Sequence, residues 1–161
     1  MKRILTFAVC AAVFLCLLTS CGGSKTYVIA TDNQMQPFCF VDGQGNPMGF
    51  DVDIIKAVAE NTGIEIELKP MSLLDGIEAL KEGKVDGLMA ALIPSDEMMQ
   101  DFDFSDMYFN NEYAFAVKKG KNKRLIEKFN EGLSAITESG KYNEIYISNF
   151  GDGIDYFGRE D

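Results

Sequence analysis

Between residues 27 and 90 the hydrophobic pattern alternates between the two-residue period of a strand and the ~3.6-residue period of a helix. Tyr27-Val28-Ile29-Ala30-Thr31 is β-rich, and Ile54, Ile55, Val58 and Ala59 then recur at helical spacing up to Gly63, a helix-closing residue. Ile64, Ile66 and Leu68 alternate with Glu65, Glu67 and Lys69 as far as Pro70, which predicts a half-exposed strand ending there. Leu73, Ile77 and Leu80 share one helical face between Ser72, a helix cap, and Gly83, and Val85 to Ala90 supplies a third strand. Strands and helices joined by so few residues imply a parallel sheet with right-handed crossovers. Ligands of such sheets sit at the carboxyl ends of the strands. The loops after Thr31 and after Met89 are therefore the candidate site.

The remaining segments add to this frame. Phe38, Phe40 and Val41 precede the turn formers Asp42-Gly43-Gln44-Gly45-Asn46-Pro47 and predict an irregular hairpin. Asp51 is expected to cap the first helix, with Asp53 in the first turn suiting the positive end of the dipole. Tyr113 to Val117 predicts a further strand, stopped by Lys118-Lys119-Gly120. Two helices follow, one striped by Leu125, Phe129, Leu133 and Ile136, the other carrying Tyr142, Ile145 and Tyr146, with Gly140 between them. The Gly- and Asp-rich tail at 152–161 is expected to fray.

The N-terminus reads as an address. Lys2 and Arg3 precede an apolar run from Ile4 to Leu18, too short for a membrane-spanning helix of roughly 20 residues but suited to a secretory signal. Leu18-Thr19-Ser20-Cys21-Gly22-Gly23-Ser24 resembles the bacterial lipobox, which implies a signal peptide at 1–20, lipidation of Cys21 and a flexible tether over 21–26. That places the protein on the extracytoplasmic face of the cell membrane, held by a lipid anchor. Removal of 1–20 leaves 141 residues and takes the formal charge from -10 to -12, because only Lys2 and Arg3 are lost with it. A surface so acidic is not that of a nucleic-acid binder. With no His, and with Cys39 as the one ordinary thiol left, no soft-ligand metal site, cofactor or intramolecular disulfide is expected.

An ordered set of short motifs carries a family resemblance. Asp32 with Pro37-Phe38, Gly49-Phe50-Asp51-Val52-Asp53, Gly83-Lys84-Val85-Asp86-Gly87, and Asp103-Phe104-Ser105 with Tyr108 stand in the order seen in the polar-amino-acid-binding proteins of ABC importers. Ala116-Val117-Lys118-Lys119-Gly120, Tyr142-Asn143-Glu144-Ile145-Tyr146 and Phe150-Gly151 resemble the closing segment of that family. The resemblance implies an α/β fold, a periplasmic-binding-protein-like type II lobe with a mainly parallel sheet flanked by helices. In the family a second lobe is inserted before the returning strand. Here Tyr108 is followed almost at once by Tyr113, so the chain is expected to form a single lobe over 27–151, with the second absent between about 108 and 113.

The resemblance also implies a site and partners. Phe38 matches the aromatic that packs on the ligand, although a Phe is as readily a core residue, and Asp32 either faces a ligand ammonium or closes an Asx turn. In the loop after the third strand the family presents a small residue, a hydroxyl and an Arg that grips the ligand carboxylate. Here Ala90, Ala91 and Ser95 are candidate contacts, but Ile93 and Met98 stand where the hydroxyl and guanidinium belong. The implied partners are a small polar solute such as an amino acid, bound weakly or no longer, and an ABC permease. A homodimer or a second chain would complete the cleft. The alternatives are an envelope docking protein that has lost ligand binding and, less well supported, a dehydratase-like enzyme, which would lack His and the expected Arg.

Overall fold

The computed structural model describes residues 25–110 and 112–151; the signal segment, Cys21, most of the tether and the tail at 152–161 lie outside them. In chain order the elements are β1 (Thr26–Asp32), β2 (Gln34–Met35), β3 (Cys39–Val41), β4 (Pro47–Met48), α1 (Phe50–Thr62), β5 (Glu65–Met71) and α2 (Leu73–Glu82). They continue with β6 (Gly87–Leu92), α3 (Met98–Asp101), β7 (Phe102–Phe109), β8 (Tyr113–Lys118), α4 (Lys123–Glu138) and α5 (Lys141–Phe150). Five strands form one sheet in the order β5-β1-β6-β8-β7. β1 pairs in parallel with both β5 and β6, as the alternating periods require, whereas β8 runs antiparallel to β6 and to β7. The hairpin region is a separate small antiparallel sheet, β2-β3-β4.

Successive side chains along a strand point to opposite faces, so each central strand feeds two cores. Ile29, Met89, Phe115 and Val117 face a cluster completed by Ile54, Ile55 and Val58 of α1, Leu125 and Phe129 of α4, and Tyr142 and Tyr146 of α5. Ala30, Leu88, Ala90 and Ala116 face the other way, against Leu80 of α2 and Phe102. Each large apolar side chain removed from water stabilises by roughly 1.5–3 kcal/mol. Helices on both faces thus hold the strand ends in fixed positions.

Several local expectations are corrected. The third strand begins two residues later than Val85, because Asp86 is used at its entry: its carboxylate accepts the Val28 N–H (3.0 Å) and an amide hydrogen of Asn122 (3.1 Å). Pro70 does not end β5; the strand lies at the sheet edge, where a missing N–H is tolerated, and it continues to Met71. β7, which the sequence pattern did not delineate, is an eight-residue strand with register shifts on either side of Met107. Asp51 is not the cap of α1. Gly49 occupies that position with φ 111°, and Asp51 lies fully buried in the first turn.

Candidate ligand-binding site

Asp51 joins the two loops that the parallel sheet delivers to its carboxyl end. Its N–H donates to the Phe38 carbonyl (2.9 Å), and the preceding N–H, of Phe50, donates to the Pro37 carbonyl (3.0 Å). Its carboxylate Oδ2 accepts the Ala91 N–H (2.8 Å) from the end of β6. The segment after β1 and the loop after β6 are therefore tied to one side chain at the start of α1. Such a close approach needs Gly49: a Cβ there would meet the Pro37 carbonyl oxygen at 2.7 Å and that of Phe38 closer still.

Ala91 is held at φ 45°, in the left-handed region that costs a non-glycine residue about 1–2 kcal/mol. Backbone strain of this kind persists where the surroundings over-determine it and clusters at binding sites. The Asp51 carboxylate is the partner that fixes the strained N–H.

The environment of Asp51 is apolar and acidic. Cys39 of β3 and Tyr108 of β7 are its polar neighbours, and Asp51 Oδ1 and the Tyr108 hydroxyl have no hydrogen-bond partner among the described residues. Burial pushes the Asp51 carboxyl up to about 6, with the Ala91 N–H pulling the other way. Burial also raises the Cys39 thiol, and the Asp51 charge adds to the effect. Tyr108 is raised well above its ordinary value by the same two causes. In all three groups burial shifts the balance toward the neutral form.

The predicted site residues separate into two sets. Asp32, Phe38, Ala90 and Ala91 come together around Asp51. Asp32 is buried and accepts the Gln34 N–H (2.7 Å) in an Asx turn. Ala90 is buried within β6, and Thr31 pairs with Met89, so Asp32 and Ala90 are the next residues of adjacent parallel strands. Phe38 is half-buried with its ring edge-on to Phe50, Phe109 and Tyr113, whose centroids lie 6.3, 5.0 and 5.2 Å away. It is part of an aromatic wall at this end of the sheet.

Ser95 and Met98 lie instead at the entry to α3, Ser95 in the preceding loop and Met98 in its first turn. The Met98 N–H donates to Ser95 Oγ (3.3 Å), and the half-buried Met98 packs against the cluster containing Leu80 and Phe102. Ile93 between the two sets is 56% exposed and offers no polar atom from its side chain. Among the described residues no group of His, Cys, Asp and Glu could hold a metal ion, and no helix is long and apolar enough to cross a membrane.

Sequence reasoning missed the central part of Asp51. The signal was present: residues 51, 54, 55 and 58 lie on one helical stripe, which places the acid on the buried face. Asp53, two residues on, turns outward and accepts from Asn149 (2.9 Å).

Comparisons with known proteins agree with this architecture. A family model described as bacterial extracellular solute-binding proteins, family 3, matches residues 27–152. The chain is similar to the arginine-binding extracellular protein ArtP of Bacillus subtilis, at 34% identity over 74% of this chain and 49% of that protein. It is also similar to a probable histidine-binding protein of Neisseria gonorrhoeae, at 34% identity over 65% of this chain and 43% of that one. The chain spans about half the length of the curated relatives it matches. Among solved structures, substrate-binding domain 2 of Lactococcus lactis GlnP in its open conformation superposes with a TM-score of 0.77. The match has 19% identity and covers 82% of this chain and 98% of that one.

Proposed function

The chain belongs to the bacterial extracellular solute-binding proteins, family 3, and from that premise we propose that it is the amino-acid-type receptor component of an ABC importer, reduced to one lobe and lipid-anchored at Cys21. The observation that carries the reading is the double tie made by Asp51, which sets the two carboxyl-end loops side by side and holds Ala91 in a strained conformation. The names of the relatives support amino acids as the solute class.

Binding by this lobe alone is weak. A zwitterion needs a cation for its carboxylate, and the loop from Ala91 to Met98 presents none. Asp96 and Glu97 would repel that carboxylate. A one-sided site also leaves water competing for each hydrogen bond, because a small ligand is usually enclosed over most of its surface. A second chain, either another copy or a separate partner, completes the cleft. The protein is read as a binder, not an enzyme.

A second reading, an envelope docking protein without a ligand, is favoured by the exposed apolar side chains Ile93 and Leu74, the latter 78% exposed. Thermal melts with a panel of amino acids separate the two. A saturable shift supports the receptor reading. No shift with any amino acid supports the docking reading.

A further inference from the structure

A second surface lies at the opposite end of the sheet. β1 enters at Thr26 and β8, antiparallel to β6, leaves at Lys118, so the chain's entry and the β8–α4 connection share that end. Side chains join them: Lys25 Nζ donates to Asn122 Oδ1 (3.2 Å) and pairs with Asp86 (2.7 Å). Six of the chain's 15 basic residues fall between 118 and 128, with Glu127 the one acid in that stretch, in a chain of formal charge -10. Lys119 pairs with Asp103 and Lys128 with Glu131, whereas exposed Lys121, Lys123 and Arg124 form no ion pair among the described residues.

Three observations mark this end as a surface for anions. Lys25, Arg124 and Lys128 line one cavity of about 280 Å³ together with Tyr27, Gly63 and a single acid, Glu65. The first turn of the 16-residue helix α4 carries Lys123 and Arg124 and no acid, and its cap residue, Asn122, makes no side-chain bond to the helix. Cations at the positive end of a helix dipole are the unfavourable way round, so an anion placed there is attracted by dipole and side chains together. The third observation is where the rest of the chain lies. Residues 1–24 reach the fold at Lys25, and only four residues separate it from Ser20, a span of at most ~18 Å.

We propose that this basic end is a docking surface for the anionic headgroups of the membrane that holds the N-terminal segment. The inference rests on the reading that the N-terminal segment enters a membrane, but not on whether it does so by lipid or by the apolar run itself. Either places the basic end near the surface, where anionic headgroups attract cations within a Debye length of about 8–10 Å. Each cation adds about fivefold to the affinity at such a surface.

The test is flotation of the full chain with phosphatidylcholine vesicles, with and without one third phosphatidylglycerol, beside the variant Lys121→Gln/Lys123→Gln/Arg124→Gln. These side chains are exposed, so the variant should melt like the parent. The proposal expects at least tenfold tighter association with the anionic vesicles, a gain abolished by high salt and by the triple substitution. No gain for the parent chain, or an equal gain for the variant, overturns it. Binding to heparin in place of anionic vesicles also overturns it, in favour of an acidic macromolecule. Failure to bind neutral vesicles, with the anionic gain intact, overturns the anchor reading and leaves the docking surface standing.

Discussion

Replacing Asp51 with Asn separates the two properties of this side chain, its shape and its charge. The amide oxygen can still accept the Ala91 N–H, but no charge is buried. In the wild type the folded carboxyl is pushed up from its ordinary 3.8 to about 6. A raised pKa means that the fold favours the protonated form. The contribution of this group to stability is therefore full below about pH 3.8 and is lost as pH rises through about 6. Each tenfold change in proton affinity between the unfolded and folded states is worth ~1.4 kcal/mol, so the ionised form costs the fold ~3 kcal/mol at neutral pH. Among the described residues no cation faces it: its titratable neighbours are Cys39 and Tyr108, with Tyr113 and Tyr142 beyond them. Urea unfolding of both proteins from pH 4 to 7.5 reads the effect, because the other carboxylates act alike in both and cancel in the difference. Asp51→Asn is expected to match the wild type near pH 4 and to exceed it by about 1–3 kcal/mol at pH 7.5. Asp51→Ala, which leaves the Ala91 N–H unpaired, is expected to lose about 1–3 kcal/mol at pH 4, where charge is no longer at issue. A stability difference between Asp51→Asn and the wild type that is flat across this range rules out a buried charge as the cost carried by Asp51.

Two further substitutions test the anchor and the close approach of the loops. Cys21→Ser is expected to abolish lipid labelling and to release the protein from the membrane fraction or block its processing; an unchanged membrane fraction without label contradicts the anchor. Gly49→Ala forces a Cβ against the Pro37 and Phe38 carbonyls at φ 111° and is expected to cost about 2–4 kcal/mol in urea unfolding, whereas a loss below about 1 kcal/mol would show that the approach is not rigid.

The sheet was legible because periodicity is a local property. Ile64, Ile66 and Leu68 alternate on an edge strand, and Leu80 and Phe129 lie on helix faces that the cores bury. β7 was not legible: its register shifts around Met107 break the alternation that would have marked it, and its pairing with β8 is decided by β8 already lying on β6. The junction of the two loops was legible as a location and less so as a set of contacts. Asp32, Phe38, Ala90 and Ala91 meet at the predicted end, but the contact that unites them is a buried acid whose side chain bonds a residue 40 positions away. An acid in the first turn of a helix suits the dipole whether it caps or is buried, so only tertiary packing distinguishes the two roles for Asp51.

The Asp51-tied loops are read as a solute site of the amino-acid type that is one-sided and lacks a carboxylate-binding cation. Calorimetric titration of the full chain with individual amino acids decides whether that reading stands, under conditions where the chain is shown to be monomeric. Saturable binding no tighter than the millimolar range is expected, since the missing charge-assisted contact alone forfeits about ten- to a hundredfold in affinity. Micromolar binding of any free amino acid by the unmodified monomer would contradict a one-sided, cation-free site.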